Sequence, residues 1–259
     1  MSDRLQSRRQ FNAKTLGSLL TLSLLETLSR YDLFAADVRE AAGRWLSDVN
    51  QLGNDLRGQS LDQLAWQKKI EELLARVSLN DVLSLIDFDR LTADVKFAER
   101  GERSLRINFP KVEGVPSELS FGRQLFALGK GRSVIPHGHN NMATAFLILK
   151  GDLRGRHYQR VEDELTGNNQ VACMHIRPTI DRKFVPGECS TVSDFKDNVH
   201  WFQALTDGAF IFNLHVLDVN PTSKLHTGRV YVDPNGEPLA GGLTRARVIG
   251  YKEGNQLYG

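Results

Sequence analysis

The chain has 259 residues, 41% of them apolar and 25% charged, the balance of an ordinary globular protein with room for one sizeable core and an added segment. Its 33 basic and 31 acidic residues leave a net charge of +2, and no Lys/Arg-rich run is interleaved with aromatics, so neither nucleic acid nor an anionic membrane surface is expected as a partner. Two cysteines, Cys173 and Cys189, fit neither a disulfide scaffold nor a CxxC metal site; they read as part-buried thiols or, in an oxidising compartment, as a single bridge.

Residues 1–35 carry Ser7-Arg8-Arg9-Gln10-Phe11 and Lys14, followed by Leu16, Leu19, Leu20, Leu22, Leu24 and Leu25. The pattern resembles a twin-arginine export signal, a route to the periplasm for proteins already folded and loaded with cofactor. The apolar run is too short for an ordinary transmembrane helix, so no stable membrane insertion is expected. Glu26 interrupts the run, and Leu33-Phe34-Ala35-Ala36 is a poor cleavage site. The segment therefore reads equally as an amphipathic first helix of a cytoplasmic protein.

Residues 36–100 have a helical pattern. Val38, Ala41, Ala42, Trp45, Leu46, Val49 and Leu52 recur at three- and four-residue steps and share one helix face. After Gly53 and Gly58, Ser60 with Gln63 forms a capping-box arrangement for a second helix, with a stripe from Leu61 to Val77. A shorter helix is expected from Asn80-Asp81, carrying Val82, Leu83, Leu85 and Ile86.

From 101 to 259 the pattern changes to short strands, expected at 103–109, 119–128, 144–150, 153–160, 170–177, 190–195, 199–205, 209–219 and near 245–252. Turn signals separate them, among them Gly129-Lys130-Gly131, Gly151-Asp152, Pro186-Gly187 and Asp233-Pro234-Asn235-Gly236. Many short strands at this spacing suggest a sandwich or barrel. No GxGxxG or P-loop pattern supports nucleotide binding.

The chemistry concentrates in Gly131-Arg-Ser-Val-Ile-Pro136-His137-Gly138-His139, with Gly151 twelve positions on. Residues two apart on a strand point to one face, so His137 and His139 can grip one metal ion from a β-sheet. Pro136 and Gly138 would help the backbone make that entry. A later strand offers His200 within Asp197-Asn198-Val199-His200-Trp201-Phe202 as a third ligand. Together these elements resemble the cupin signature, which implies a mainly β jelly-roll (double-stranded β-helix) barrel behind the helical segment.

Most cupins place a glutamate seven residues before the second glycine of that signature; here the position is Thr144. Three neutral imidazoles leave a divalent ion's charge uncompensated and favour an anionic ligand such as a thiolate. Imidazole ligation suits iron, copper, nickel or zinc, and three protein ligands leave positions open for a substrate.

The segment from about 120 to 221 is similar to the three-histidine thiol dioxygenases, most closely the cysteamine dioxygenase and plant cysteine oxidase branch. The matching elements are His137-Gly138-His139, Gly151 through Tyr158, Asp197-Asn198-Val199-His200 and Leu217-Asp218-Val219-Asn220-Pro221. The resemblance implies an Fe(II) enzyme that adds O2 to the sulfur of a small thiol or an N-terminal cysteine, with His137, His139 and His200 on the metal. It also makes Tyr158 and Asp218 candidates for catalytic roles. Asp197 in place of a glycine, and the absence of the family's double proline, depart from the pattern and leave the substrate open. A non-catalytic metal- or ligand-binding cupin, or a cupin isomerase or lyase, is the alternative.

Of the other histidines, His157, His175, His215 and His226 read as hydrogen-bonded structural residues, with His175 the best spare ligand. Cys173 reads as a small buried hydrophobe, and Trp201 and Phe202 as core walls.

Overall fold

The computed structural model describes residues 43–109, 118–168 and 170–259; the twin-arginine-like segment 1–35 lies outside them. Residues 43–57 form helix α1. Helices α2 (Gln63–Arg76), α3 (Leu79–Leu85) and α4 (Phe88–Thr92) follow. The strands are β1 (Arg103–Arg106), β2 (Gly122–Leu128), β3 (Ser133–Asn140), β4 (Met142–Lys150), β5 (Leu153–Leu165), β6 (Val171–Phe184), β7 (Cys189–Val192), β8 (Val199–Ala204), β9 (Ala209–Leu217), β10 (Gly228–Leu239) and β11 (Leu243–Val248). Helix α5 (Tyr251–Tyr258) ends the chain. No helix among the described residues is long and apolar enough to cross a membrane.

The strands form two antiparallel systems. One sheet has the order β1-β2-β9-β4-β7; the other closes into a barrel, β10-β11-β6-β5-β8-β3. From β2 to β9 the chain thus places β2, β9, β4 and β7 in one layer and β3, β8, β5 and β6 in the other. That interleaving is the double-sheet jelly roll, so the mainly β expectation holds.

Three apolar clusters follow from strand alternation. Phe126, Phe146, Ile148, Ile211, Phe184 and Phe202 fill the space between the two layers. The neighbouring residues on the same strands, such as Leu125, Ala145, Leu147 and Phe212, point the other way and meet Trp45, Leu46, Ile70 and Leu74 of α1 and α2. The helices therefore bury the outer face of the five-stranded sheet. This is why β4 is buried at every position from Met142 to Leu149 and reads as an unbroken apolar run instead of an alternating one. The third cluster, Met174, Ile176, Val199, Val232 and Ala246, fills the small closed barrel on the far side of β3 and β8.

Strands β3 and β10 and helix α4 add to the expected elements, and local expectations differ from the structure elsewhere too. The N-cap of α2 is Asp62, which accepts the Ala65 amide at 2.7 Å, and not Ser60. Gln63 instead spans to the β7–β8 loop, donating to Asp194 Oδ2 at 3.0 Å and accepting the Asp194 amide at 2.9 Å. Strand β10 runs through Asp233-Pro234-Asn235-Gly236, because a register shift in its pairing with β11 absorbs the turn-like residues. Near 245–252 the chain makes β11 and then enters α5, whose Gly254 approaches Ile135 of β3 so closely that a Cβ there would lie 2.9 Å from its side chain. Both cysteines are free, Cys173 buried on β6 and Cys189 half-buried on β7.

Candidate metal centre

His137 and His139 lie on β3 with their side chains on one face, and β8 brings His200 directly opposite His137 in the ladder. One ring nitrogen from each of the three lies within 4.8 Å of the other two. Ring centroids are separated by 4.2 Å (His137–His200), 4.8 Å (His139–His200) and 5.1 Å (His137–His139). All three residues are 2% exposed or less.

Backbone carbonyls set two of the tautomers. His137 Nδ1 lies 2.7 Å from the Ile135 carbonyl and His200 Nδ1 3.2 Å from the Asn198 carbonyl. A carbonyl can only accept, so each Nδ1 carries the proton and each Nε2 keeps its lone pair. Both Nε2 atoms are buried and have no hydrogen-bond partner among the described residues. Burial, reinforced by repulsion from a neighbouring imidazole (His200 for His137 and His139, His157 for His200) and by the Arg229 guanidinium, holds all three imidazoles well below the ordinary histidine pKa. Neutral rings with converging, unpartnered lone pairs fit a divalent metal ion. Among the described residues no carboxylate joins them, and Thr144 lies beside the group, its Oγ1 3.3 Å from His139 Nδ1.

Asn198 ties the ligands together. Its Oδ1 accepts the His139 amide at 3.1 Å, and its Nδ2 donates to the His139 carbonyl at 2.9 Å and to the Ser193 carbonyl at 2.9 Å. Arg160 adds a bond to the same His139 carbonyl at 3.2 Å. Gly138 makes this approach possible: a Cβ there would fall 2.6 Å from Asn198 Oδ1. The glycine between the two ligands is thus a spatial requirement of the clamp, beyond any help it gives the strand's entry.

A fourth histidine, His157 on β5, faces His200 across the β5–β8 ladder, with ring centroids 6.2 Å apart. It is fully buried against Phe184 and Phe202, and burial takes its pKa down to about 4. Beside the triad opens a cavity of about 280 Å³, with His137, His139, Thr144 and Phe146 on one side and Glu102, Asn213 and Arg229 among its polar wall. Arg229 is the ladder partner of His139 and pairs with Glu102 at 3.2 Å. His215 also lines this cavity, and burial lowers it to about 4.

The structure does not bring Tyr158 or Asp218 to this cavity. Tyr158 follows His157 on β5 and so points to the opposite face, where it packs against the Met174–Val199 cluster of the small barrel. Asp218 is an exposed residue with φ +56°, and its carboxylate accepts the Thr227 hydroxyl at 2.6 Å. His175 is on the outside of β6, bonded to Glu164 at 2.7 Å. Phe202 walls the triad as expected, whereas Trp201 faces away, under the Arg156 guanidinium and against Tyr258. Sequence reading missed Arg229, Glu102 and Asn213. The available signal for Arg229 was its alternation with Val230 and Val232, hidden by the turn-like residues that follow.

No family model matches the chain, and no curated protein matches it. Among solved structures, a cupin-superfamily sugar phosphate isomerase from Silicibacter pomeroyi shares 19% identity over 57% of this chain and 76% of its own, at a TM-score of 0.32. An uncharacterised protein with a double-stranded β-helix domain from Klebsiella pneumoniae shares 11% identity over 55% and 94%, at a TM-score of 0.35. A recombinant oxalate oxidase in complex with glycolate shares 14% identity at a TM-score of 0.33, over 52% of this chain and 56% of its own, less than two thirds of its length. Likenesses this slight carry no argument about function. What the chain's own strand order and histidines establish is a double-sheet jelly roll with a buried three-histidine group suited to a metal ion.

Proposed function

We propose that this chain is an Fe(II)-dependent oxygenase of the three-histidine thiol dioxygenase type, acting on a small thiol with O2 as co-substrate. The observation that carries the reading is the donor set: three neutral, converging imidazoles with Thr144 where a carboxylate would neutralise charge. When bound, Fe(II) would supply open positions for a thiolate sulfur and for O2, so that both oxygen atoms end on sulfur and the thiolate becomes a sulfinate. The protein's residues do the rest. The Nδ1 bonds of His137 and His200 aim their rings, Asn198 fixes the backbone of His139, and Phe126 and Phe146 line the adjoining cavity with apolar surface. Arg229 adds positive potential beside His139, which favours an anionic sulfur over a neutral thiol.

Oxygen uptake by anaerobically Fe(II)-loaded protein, over a panel of thiols, tests this. One O2 should be consumed per thiol, with loss of activity in His200→Ala and a Fe(II)–nitrosyl electron paramagnetic resonance signal in the wild type. Equal uptake in both proteins, or none in the iron-loaded wild type, would sink the reading. One observation favours a second reading, a metal-dependent isomerase or lyase: Glu102 places a carboxylate on the cavity wall, where it could move a substrate proton. Substrate conversion without oxygen consumption would select it.

A further inference from the structure

Within the cavity beside the triad, two acceptors are left open. Glu102 is one-tenth exposed at its side chain; one carboxylate oxygen takes the Arg229 bond and the other, Oε2, is buried without a partner among the described residues. Asn213 on β9 is 3% exposed, with Nδ2 3.4 Å from His215 Nδ1 and Oδ1 buried without a partner among the described residues. Both line the same cavity as His137 and His139. An acceptor in such a place costs free energy until a donor meets it.

The surrounding charge says which donor. Arg229 already offsets the charge of Glu102, and a divalent ion on the triad would add two positive charges with no carboxylate among its three histidine ligands. With Glu102 and Arg229 offsetting each other, an ammonium would still meet the net positive charge of the ion in a site of low dielectric, while a hydroxyl would not be repelled. We infer that the Glu102–Asn213 wall is a recognition site for neutral hydroxyl donors, so that the substrate is a small hydroxylated molecule with one anionic metal-binding atom. This rests on the metal-enzyme reading above and narrows it: the preferred thiol bears hydroxyl groups and not an amine.

The test is calorimetric and independent of turnover. Zn(II)-loaded protein is titrated with thioglycerol, cysteamine and propanethiol, which share a thiol and differ in the second group. Thioglycerol should bind at least about tenfold tighter than either of the others. That preference over propanethiol should collapse in Glu102→Leu and in Asn213→Leu, the second a near-isosteric change that leaves the Arg229 pair intact. Cysteamine binding tightest, or a thioglycerol preference unchanged in a folded Asn213→Leu protein, would overturn the inference. Glycerol titrated into metal-free protein separates the two readings. If zinc is not retained but glycerol binds and Asn213→Leu abolishes that binding, the metal reading falls and the hydroxyl wall stands. If zinc is retained and no hydroxyl preference is seen, the wall falls alone.

Discussion

Asn198 holds the peptide of His139 from both sides, its Oδ1 3.1 Å from the amide nitrogen and its Nδ2 2.9 Å from the carbonyl oxygen. Its own carbonyl lies 3.2 Å from His200 Nδ1, so one residue fixes two of the three imidazoles. Replacing it with alanine removes the acceptor of the His139 amide and a donor from the His139 and Ser193 carbonyls, the former keeping Arg160, and should cost about 2–4 kcal/mol of stability. Metal affinity should fall about 10–100-fold, as for other groups that orient ligands. Competition against a chromophoric chelator reads this out; unchanged affinity in a folded Asn198→Ala protein would refute the clamp.

Gly138→Ala should act through the same contact. The added methyl group would meet Asn198 Oδ1 at 2.6 Å and Val199 Cγ2 at 3.2 Å, so the clamp must shift. The expected outcome is weaker metal binding and about 1–3 kcal/mol of destabilisation, the usual cost of overpacking. If Asn198 is the residue displaced, Gly138→Ala and Asn198→Ala should be markedly non-additive in a double-mutant cycle.

Stability should depend on pH through the buried histidines. Burial lowers His137, His139 and His200 well below the ordinary value, and brings His157 and His215 to about 4. Their folded pKa values lie below the unfolded value of about 6.5, so as the pH falls the unfolded chain takes up protons first. The full stability is therefore present above about pH 6.5 and is lost as the pH falls toward 4, with His157 alone accounting for about 3 kcal/mol. Thermal melts in chelator across that range should show the loss, and a bound divalent ion should shift it to lower pH. A flat melting temperature in chelator would contradict the neutral-triad description.

Thr144→Glu would place a carboxylate beside His139, where the threonine hydroxyl now lies 3.3 Å from Nδ1. A fourth, charged ligand should tighten divalent-metal binding and weaken the binding of anions such as azide or a thiolate to the bound ion. Azide titration of the Co(II)-loaded proteins by visible absorption measures both effects. Stronger azide binding in the variant would show that the uncharged donor set does not set the preference.

The sequence by itself determined the helical region ahead of a β domain and the His137–His139 pair, because period and spacing are local properties of the chain, and the resemblance to the cupin signature added His200. His137 and His139, two apart on a strand, had to share a face, and the resemblance to the cupin signature marked Thr144 as standing where a carboxylate is usual. The tertiary structure decided what lies around them. Tyr158 follows His157 directly, and only the pleat of β5 between two different cores sends one to the triad side and the other to the small barrel. Arg229 and Glu102 are 127 residues apart and meet because β10 pairs with β3 while β1 joins the edge of the opposite sheet. Non-local pairing of this kind leaves no periodic trace, so the cavity wall could not be read from the chain, whereas the metal ligands could.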